Sequence, residues 1–144
     1  MLHIREMEME DLEQVAQLEE ELFQTPWSLN GLFSFFLRED VKFLVASENE
    51  KIVGYCGITT VLDEEDIVKV AVKKDEQRRG IATALLKELI KYTKEIGIQI
   101  IHLEVRQSND SAIALYQKMG FSEDGIRKDY YENPVENALL MSRR

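Results

Sequence analysis

Only one cysteine, Cys56, and two histidines, His3 and His102, occur in the 144 residues, which excludes an intramolecular disulfide framework and leaves too few ligands for a metal site. The two prolines and seven glycines do not cluster into a linker, so one domain spanning residues 1–144 is expected. No apolar run approaches bilayer-spanning length, no repeat or low-complexity segment is present, and no signal peptide is read at the N-terminus, making the cytoplasm the expected compartment. Cations are scarce too: 18 Lys and Arg stand against 27 Asp and Glu, a formal charge of −9. Such a surface repels nucleic acid and anionic membranes at long range, and attracts a basic protein.

What is present is a periodic hydrophobic pattern, and 44% hydrophobic content suffices for a proper core. Leu2 to Ile4 reads as a short strand. Glu10 or Asp11 can then cap a helix with Leu12, Val15, Ala16, Leu18 and Leu22 at helical spacing, whose other face, Glu6 through Glu21 with Asp11 and Glu19 among its acids, reads as solvated. Pro26 breaks the chain, and Ser28 caps a second helix with an apolar stripe of Leu29, Leu32, Phe33, Phe36 and Leu37. Strands follow at Phe43 to Ser47 and Ile52 to Thr60, a turn at Asp63 to Asp66, and a strand at Val68 to Val72. A helix over Ile81 to Glu95, a strand over Gln99 to Val105, and a helix capped by Asn109 or Ser108 and ended at Gly120 come next, with last strands near Phe121 to Arg127 and Asn137 to Ser142. The order β-α-α-β-β-β-α-β-α-β-β predicts an α/β protein, a mixed sheet with helices on both faces.

The connector Gln77-Arg78-Arg79-Gly80-Ile81-Ala82 joins a strand to a helix start. Unpaired backbone N–H groups and the positive end of the helix dipole make such a turn an anion site, and the small Gly80 and Ala82 let a phosphate approach. Neither the triphosphate P-loop nor the Gly-x-Gly-x-x-Gly dinucleotide pattern is present. Taken alone, the turn is equally an ordinary strand-to-helix connection. It resembles, however, the Gln/Arg-x-x-Gly-x-Gly/Ala signature of the GCN5-related N-acetyltransferase (GNAT) superfamily. Leu103-Glu104-Val105-Arg106, Asn109-x-x-Ala112 and Leu115-Tyr116-x-x-x-Gly120-Phe121 resemble the second half of the same fold. Pro26-Trp27-Ser28 and Arg127-x-x-Tyr130-Tyr131 are similar to motifs of its RimI-type branch, whose members acetylate the N-terminal alanine of a ribosomal protein.

The resemblance implies a mostly antiparallel sheet of six to seven strands and acetyl-CoA as cosubstrate, without a metal. It implies that the backbone of Val70, Ala71 and Val72 holds the pantetheine, that Arg78, Arg79, Gly80, Ile81, Ala82 and Thr83 surround the pyrophosphate, and that Asn109 also touches the cofactor. Attack on a thioester needs a neutral amine and therefore a base. Strand alternation puts Glu104 on one face with His102 and Arg106, where periodicity alone suits a solvated ion pair; the resemblance makes Glu104 the base. Likewise Tyr116 suits a buried aromatic, and the resemblance makes it the acid that assists the leaving thiolate. Cys56, inside an apolar strand, is a poor nucleophile, which favours direct transfer.

For the acceptor, the resemblance implies a protein N-terminus in a slot lined by Trp27, Tyr130 and Tyr131, with a basic ribosomal protein as partner. An α-amino group is roughly 3 kcal/mol cheaper to neutralise at pH 7 than a lysine. The branch usually has Glu-Asp-Ala where this chain has Glu136-Asn137-Ala138. Two other readings remain at this point, a lysine or small-amine acetyltransferase and a non-catalytic acetyl-CoA sensor; a sensor needs only the phosphate turn, not Glu104 and Tyr116.

Overall fold

The computed structural model describes residues 1–144. Strands β1 (Leu2–Glu6), β2 (Val41–Glu48), β3 (Lys51–Val61), β4 (Glu64–Val72), β5 (Ile100–Arg106), β6 (Ser122–Tyr131) and β7 (Glu136–Arg143) form one sheet in the order β1-β2-β3-β4-β5-β7-β6. Helices α1 (Leu12–Leu22) and α2 (Leu29–Phe36) separate β1 from β2, α3 (Ile81–Glu95) joins β4 to β5, and α4 (Asp110–Lys118) joins β5 to β6. Every strand pair is antiparallel except β4 with β5. The predicted order of elements and the mixed, mostly antiparallel sheet are thus what the chain adopts.

Alternation along the strands sorts side chains into two apolar layers. On one face α3 and α4 pack over Leu44, Cys56, Ile67, Leu103, Leu139 and their neighbours. On the other, α1 and α2 cover Phe43, Val45, Tyr55 and Ala71, and no residue of β5, β6 or β7 joins that layer. The second face of the C-terminal half is therefore open, and His102, Glu104 and Arg106 look out onto it.

Several local expectations need correction. Asp63 to Asp66 is not a turn: β4 starts at Glu64, and the reversal is confined to Leu62 and Asp63, with Leu62 at φ 57°. The acidic run looks like a loop, yet Glu65 points inward and only its neighbours are exposed. Asp11 does not cap α1 through its side chain. It instead accepts from Arg5 at 2.7 and 2.9 Å and from the Glu8 amide at 2.8 Å, which holds its carboxyl below the usual range, the Arg5 bond being the main cause. The acidic face of α1 is not wholly solvated either, because Asp11 and Glu19 are buried. On α2 the inward residues are Leu32, Phe35 and Phe36, while Leu29, Phe33 and Leu37 remain exposed.

The feature that makes a site is a parting of strands. β4 and β5 pair only over Glu64–Asp66 and Ile100–His102. A register shift between Gly57 and Ile58 bends the β3–β4 ladder, and beyond it β4 runs on to Val72 beside β3 alone, while β5 continues beside β7. From Ile67 onward the flank of β4 that faces β5 has no strand partner.

Candidate active site

One side of this gap is built from backbone. The amides of residues 78 to 83 donate to nothing in the chain; the first bonded ones are Gln77 before them and Ala84 after, which reaches Gly80 O at 3.0 Å. Gly80 caps α3 at φ 78°, a conformation that costs glycine nothing and most side chains strain, and no side chain occupies the cap. Gly54 on β3 brings α3 close, since a Cβ there would lie 2.9 Å from Ala71 O and 3.2 Å from Ile81 Cγ2. The resulting cleft of about 580 Å³ is lined by Val70, Val72, Arg78, Gly80, Ile81, Ala82, Thr83, Asn109 and Tyr116, together with Gln77, Ser111, Ala112 and Leu115. A row of free donors at a helix start, continued by an unpaired strand flank, suits a diphosphate on an amide-bearing arm.

Two expected contributors stand apart. Ala71 turns its side chain to the α1–α2 layer, leaving only its backbone for the cleft. Arg79 is engaged elsewhere: its guanidinium pairs with Glu48 at 2.8 and 3.0 Å and with Glu76, so Arg78 is the arginine in the cleft. Asn109 serves as the cap of α4, accepting from the Ala112 amide at 3.2 Å, while also lining the cleft.

At the mouth of the gap stand the ionisable groups. Glu104 is pushed above the usual carboxylate range, first by burial and then by Asp66, against the pull of Arg127 and His102. Tyr116 packs edge-on against Phe121 at 5.8 Å, and burial raises its phenol to about 12. Tyr131 rises to about 12 as well, through burial and then the charge of Glu104, with Tyr116 also contributing. Tyr116 lines the cleft, Glu104 lines a neighbouring hollow with Asp66 and His102, and Tyr131 stands on the β6–β7 hairpin. Nothing in the sequence singles out Asp66, whose run of acids reads as a turn.

Beyond them lies a cavity of about 640 Å³ between the end of α1 with the connector that follows it (Leu22, Phe23, Gln24, Thr25) and the β6–β7 hairpin (Tyr130, Tyr131, Glu132, Asn133, Pro134), floored by Arg106 and Ser108. Arg106 fixes the hairpin side. It donates to Pro134 O at 3.0 Å, Glu132 O at 2.8 Å and Glu136 at 3.2 Å, and stacks 4.6 Å from the Tyr131 ring. Asn137 accepts from the Asp129 amide and donates to Gln107, a pairing of donor and acceptor that an aspartate there could not reproduce. Trp27 lies behind the wall rather than on it, against Phe35 at 5.4 Å and Phe43 at 6.0 Å.

A sheet whose two parallel strands part around free amides at a helix start has the architecture of an N-acetyltransferase. Residues 4–121 match the acetyltransferase (GNAT) family, and the chain belongs to it. A [ribosomal protein bS18]-alanine N-acetyltransferase of Haemophilus influenzae is 39% identical over 142 residues, covering 96% of each chain. The crystal structure of the ribosomal-protein-S18-alanine N-acetyltransferase from Escherichia coli superposes with a TM-score of 0.92 at 34% identity, covering 99% of this chain and 93% of that one. The PaiA N-acetyltransferase of Thermoplasma acidophilum, solved with coenzyme A, shares the fold at a TM-score of 0.80 and 21% identity, covering 100% of this chain and 99% of that one.

Proposed function

We propose that this chain transfers the acetyl group of acetyl-CoA directly to the N-terminal α-amino group of a protein, the N-terminal alanine of a basic ribosomal protein of the bS18 class. The observation that supports the reading is the parting of β4 from β5 beyond His102, with the free amides and Tyr116 lining the cleft on one side and Glu104 following on β5 two residues past the last paired position. The names and coverage of the relatives support the acceptor. Acetyl-CoA supplies an acyl group activated as a thioester. The free amides of residues 78 to 83, with Arg78, hold its pyrophosphate; the unpaired flank of Val70 to Val72 binds its pantetheine amides, and Asn109 contacts it from α4.

Glu104 takes the proton from the incoming ammonium, directly or through water. Its raised affinity for protons narrows the gap to an α-amino group, whose ordinary value lies near 8, so proton transfer is less uphill than to an ordinary carboxylate. Tyr116 keeps its proton at neutral pH. With its phenol near 12 against about 8.5 for a thiol, complete transfer to the sulfur is about 5 kcal/mol uphill, so Tyr116 assists as a hydrogen-bond donor to the departing thiolate. Tyr130 and Tyr131 form the acceptor slot's hairpin wall, Trp27 backs the opposite one, and the net charge of −9 draws a basic acceptor toward it.

The experiment offers a set of peptides with free N-termini, headed by a basic peptide starting with alanine, beside N-terminally blocked peptides carrying internal lysines, and reads acetylation by mass spectrometry. Transfer to the free N-termini is expected. Modification of lysine alone would overturn the acceptor, and binding of acetyl-CoA without transfer to any amine would support a sensor instead.

A further inference from the structure

The most fully buried ionic contact in the chain lies outside the catalytic pair. Glu19, on the last turns of α1, has no exposed surface. Its Oε1 accepts from the Trp27 amide at 2.9 Å and from Lys69 Nζ at 2.9 Å; its Oε2 accepts from Lys69 Nζ at 3.0 Å and from the Tyr55 hydroxyl. Lys69 Nζ in turn lies 3.9 Å from the centre of the Phe23 ring and 4.1 Å from that of Trp27. The ammonium is thus held between two aromatic rings, both from the connector between α1 and α2. This is more than packing requires, because a buried ion pair is costly to desolvate and apolar residues of similar volume often serve stability as well.

What the pair touches shows what it can do. Phe23 and its neighbours form one wall of the cavity that Arg106 and the β6–β7 hairpin complete. No other hydrogen bond engages the backbone of residues 24 to 27, so the Glu19 bond to the Trp27 amide is the connector's sole polar anchor along that stretch. Lys69 stands on β4 immediately before Val70, where the cofactor-facing flank begins. One side chain therefore joins the wall of the acceptor cavity to the strand that borders the cofactor cleft. Arg106 and Arg127 stack instead on the hairpin rings, over Tyr131 and Tyr130.

We propose that Glu19 and Lys69 are positioning residues for the acceptor: the pair latches the Phe23–Trp27 segment to β4 and thereby sets the distance between the acceptor wall and the thioester end of the cleft. The inference rests on the cavity being the acceptor slot. Neither residue meets the reacting atoms; both act through the wall, so the signature of the latch is a change in acceptor KM separated from cofactor binding.

The test compares wild type, Lys69→Met and Lys69→Arg for transfer to the alanine-initiated basic peptide, with acetyl-CoA affinity measured by calorimetry. Lys69→Met keeps the apolar stem but removes the charge. A rise in acceptor KM of roughly tenfold to a hundredfold is expected, with acetyl-CoA Kd within about twofold of wild type. Lys69→Arg, which can stack between the rings and reach the carboxylate, should recover most of the loss. Because the Met variant leaves Glu19 buried without its cation, the double variant Glu19→Gln with Lys69→Met provides a neutral pair that relieves that cost; it should fold and still show the raised acceptor KM. An acceptor KM equal to wild type in the folded double variant, or an equal loss of acetyl-CoA affinity, would overturn the latch. Failure of the wild type itself to acetylate any free N-terminus would instead overturn the acceptor reading.

Discussion

The two sides of the gap are made in different ways. The proposed cofactor side is backbone: six successive amides at the start of α3 and one flank of β4, with a glycine at φ 78° and another that lets α3 approach the sheet. The proposed acceptor side is side chain: Glu19 holds the α1–α2 connector through the Trp27 amide, Arg106 holds the β6–β7 hairpin, and residues 24 to 27 have no other backbone bond. A surface held by main-chain geometry presents the same donors whatever the side chains nearby, which suits a cosubstrate that never changes. One held by a few ion pairs can be retuned by single substitutions, which suits recognition of a particular acceptor.

The largest break in that comparison is expected at Glu104, on the acceptor side. Glu104→Gln preserves shape and removes the proposed base, so kcat should fall by about two to four orders of magnitude while acetyl-CoA affinity stays near wild type. Steady-state kinetics combined with calorimetry separates the two. A parallel loss of cofactor binding would show that the halves are not independent.

The same division explains what was legible in the sequence. Gln77 to Ala82 are contiguous, so the turn and its donors could be read from a few letters, and Ser28 and Asn109 were read as caps because capping is local. Tyr116 could be located only through its resemblance to a family pattern. Glu19 was read as one acid among many on α1, since nothing local says that Lys69, fifty positions away, meets it. The resemblance implies Arg79 at the phosphate, and nothing local shows that Glu48, on a distant strand, holds its guanidinium. Glu65 was hidden within Asp63 to Asp66, where acids in succession look like a turn until the pleat carries one of them into the core.

Glu65 sits on the strand that both halves share and offers a smaller, pH-dependent break. Neither carboxylate oxygen has a hydrogen-bond partner, and burial, followed by the charge of Asp66, raises its value to about 8. The folded chain therefore keeps a proton that the unfolded chain releases near 4.5. The stability this provides is fully present below the unfolded value and is lost as pH rises through about 8, an effect of a few kcal/mol. Glu65→Gln cannot ionise and should lack this loss. Chemical denaturation at pH 6 and pH 9 is expected to show a smaller drop for the variant, and equal drops would mean that Glu65 is solvated or paired when charged.

The smallest effect is expected from the two neighbouring arginines of the turn, and it sharpens the contrast within the cofactor half itself. Arg78 lines the cleft, whereas Arg79 spends its guanidinium on Glu48 and Glu76. If the amides carry most of the phosphate contact, as proposed, Arg78→Ala should raise the acetyl-CoA KM only several-fold, the scale of one charge-assisted bond at a solvated site. Arg79→Ala should leave that KM within about twofold, because the exposed pair it breaks is screened by water and salt. Equal increases in the two variants would mean that Arg79 leaves its carboxylates for the pyrophosphate. A loss of a hundredfold from Arg78 alone would mean that side-chain charge, and not the row of amides, holds the cosubstrate, and the distinction between the two sides of the gap would fall with it.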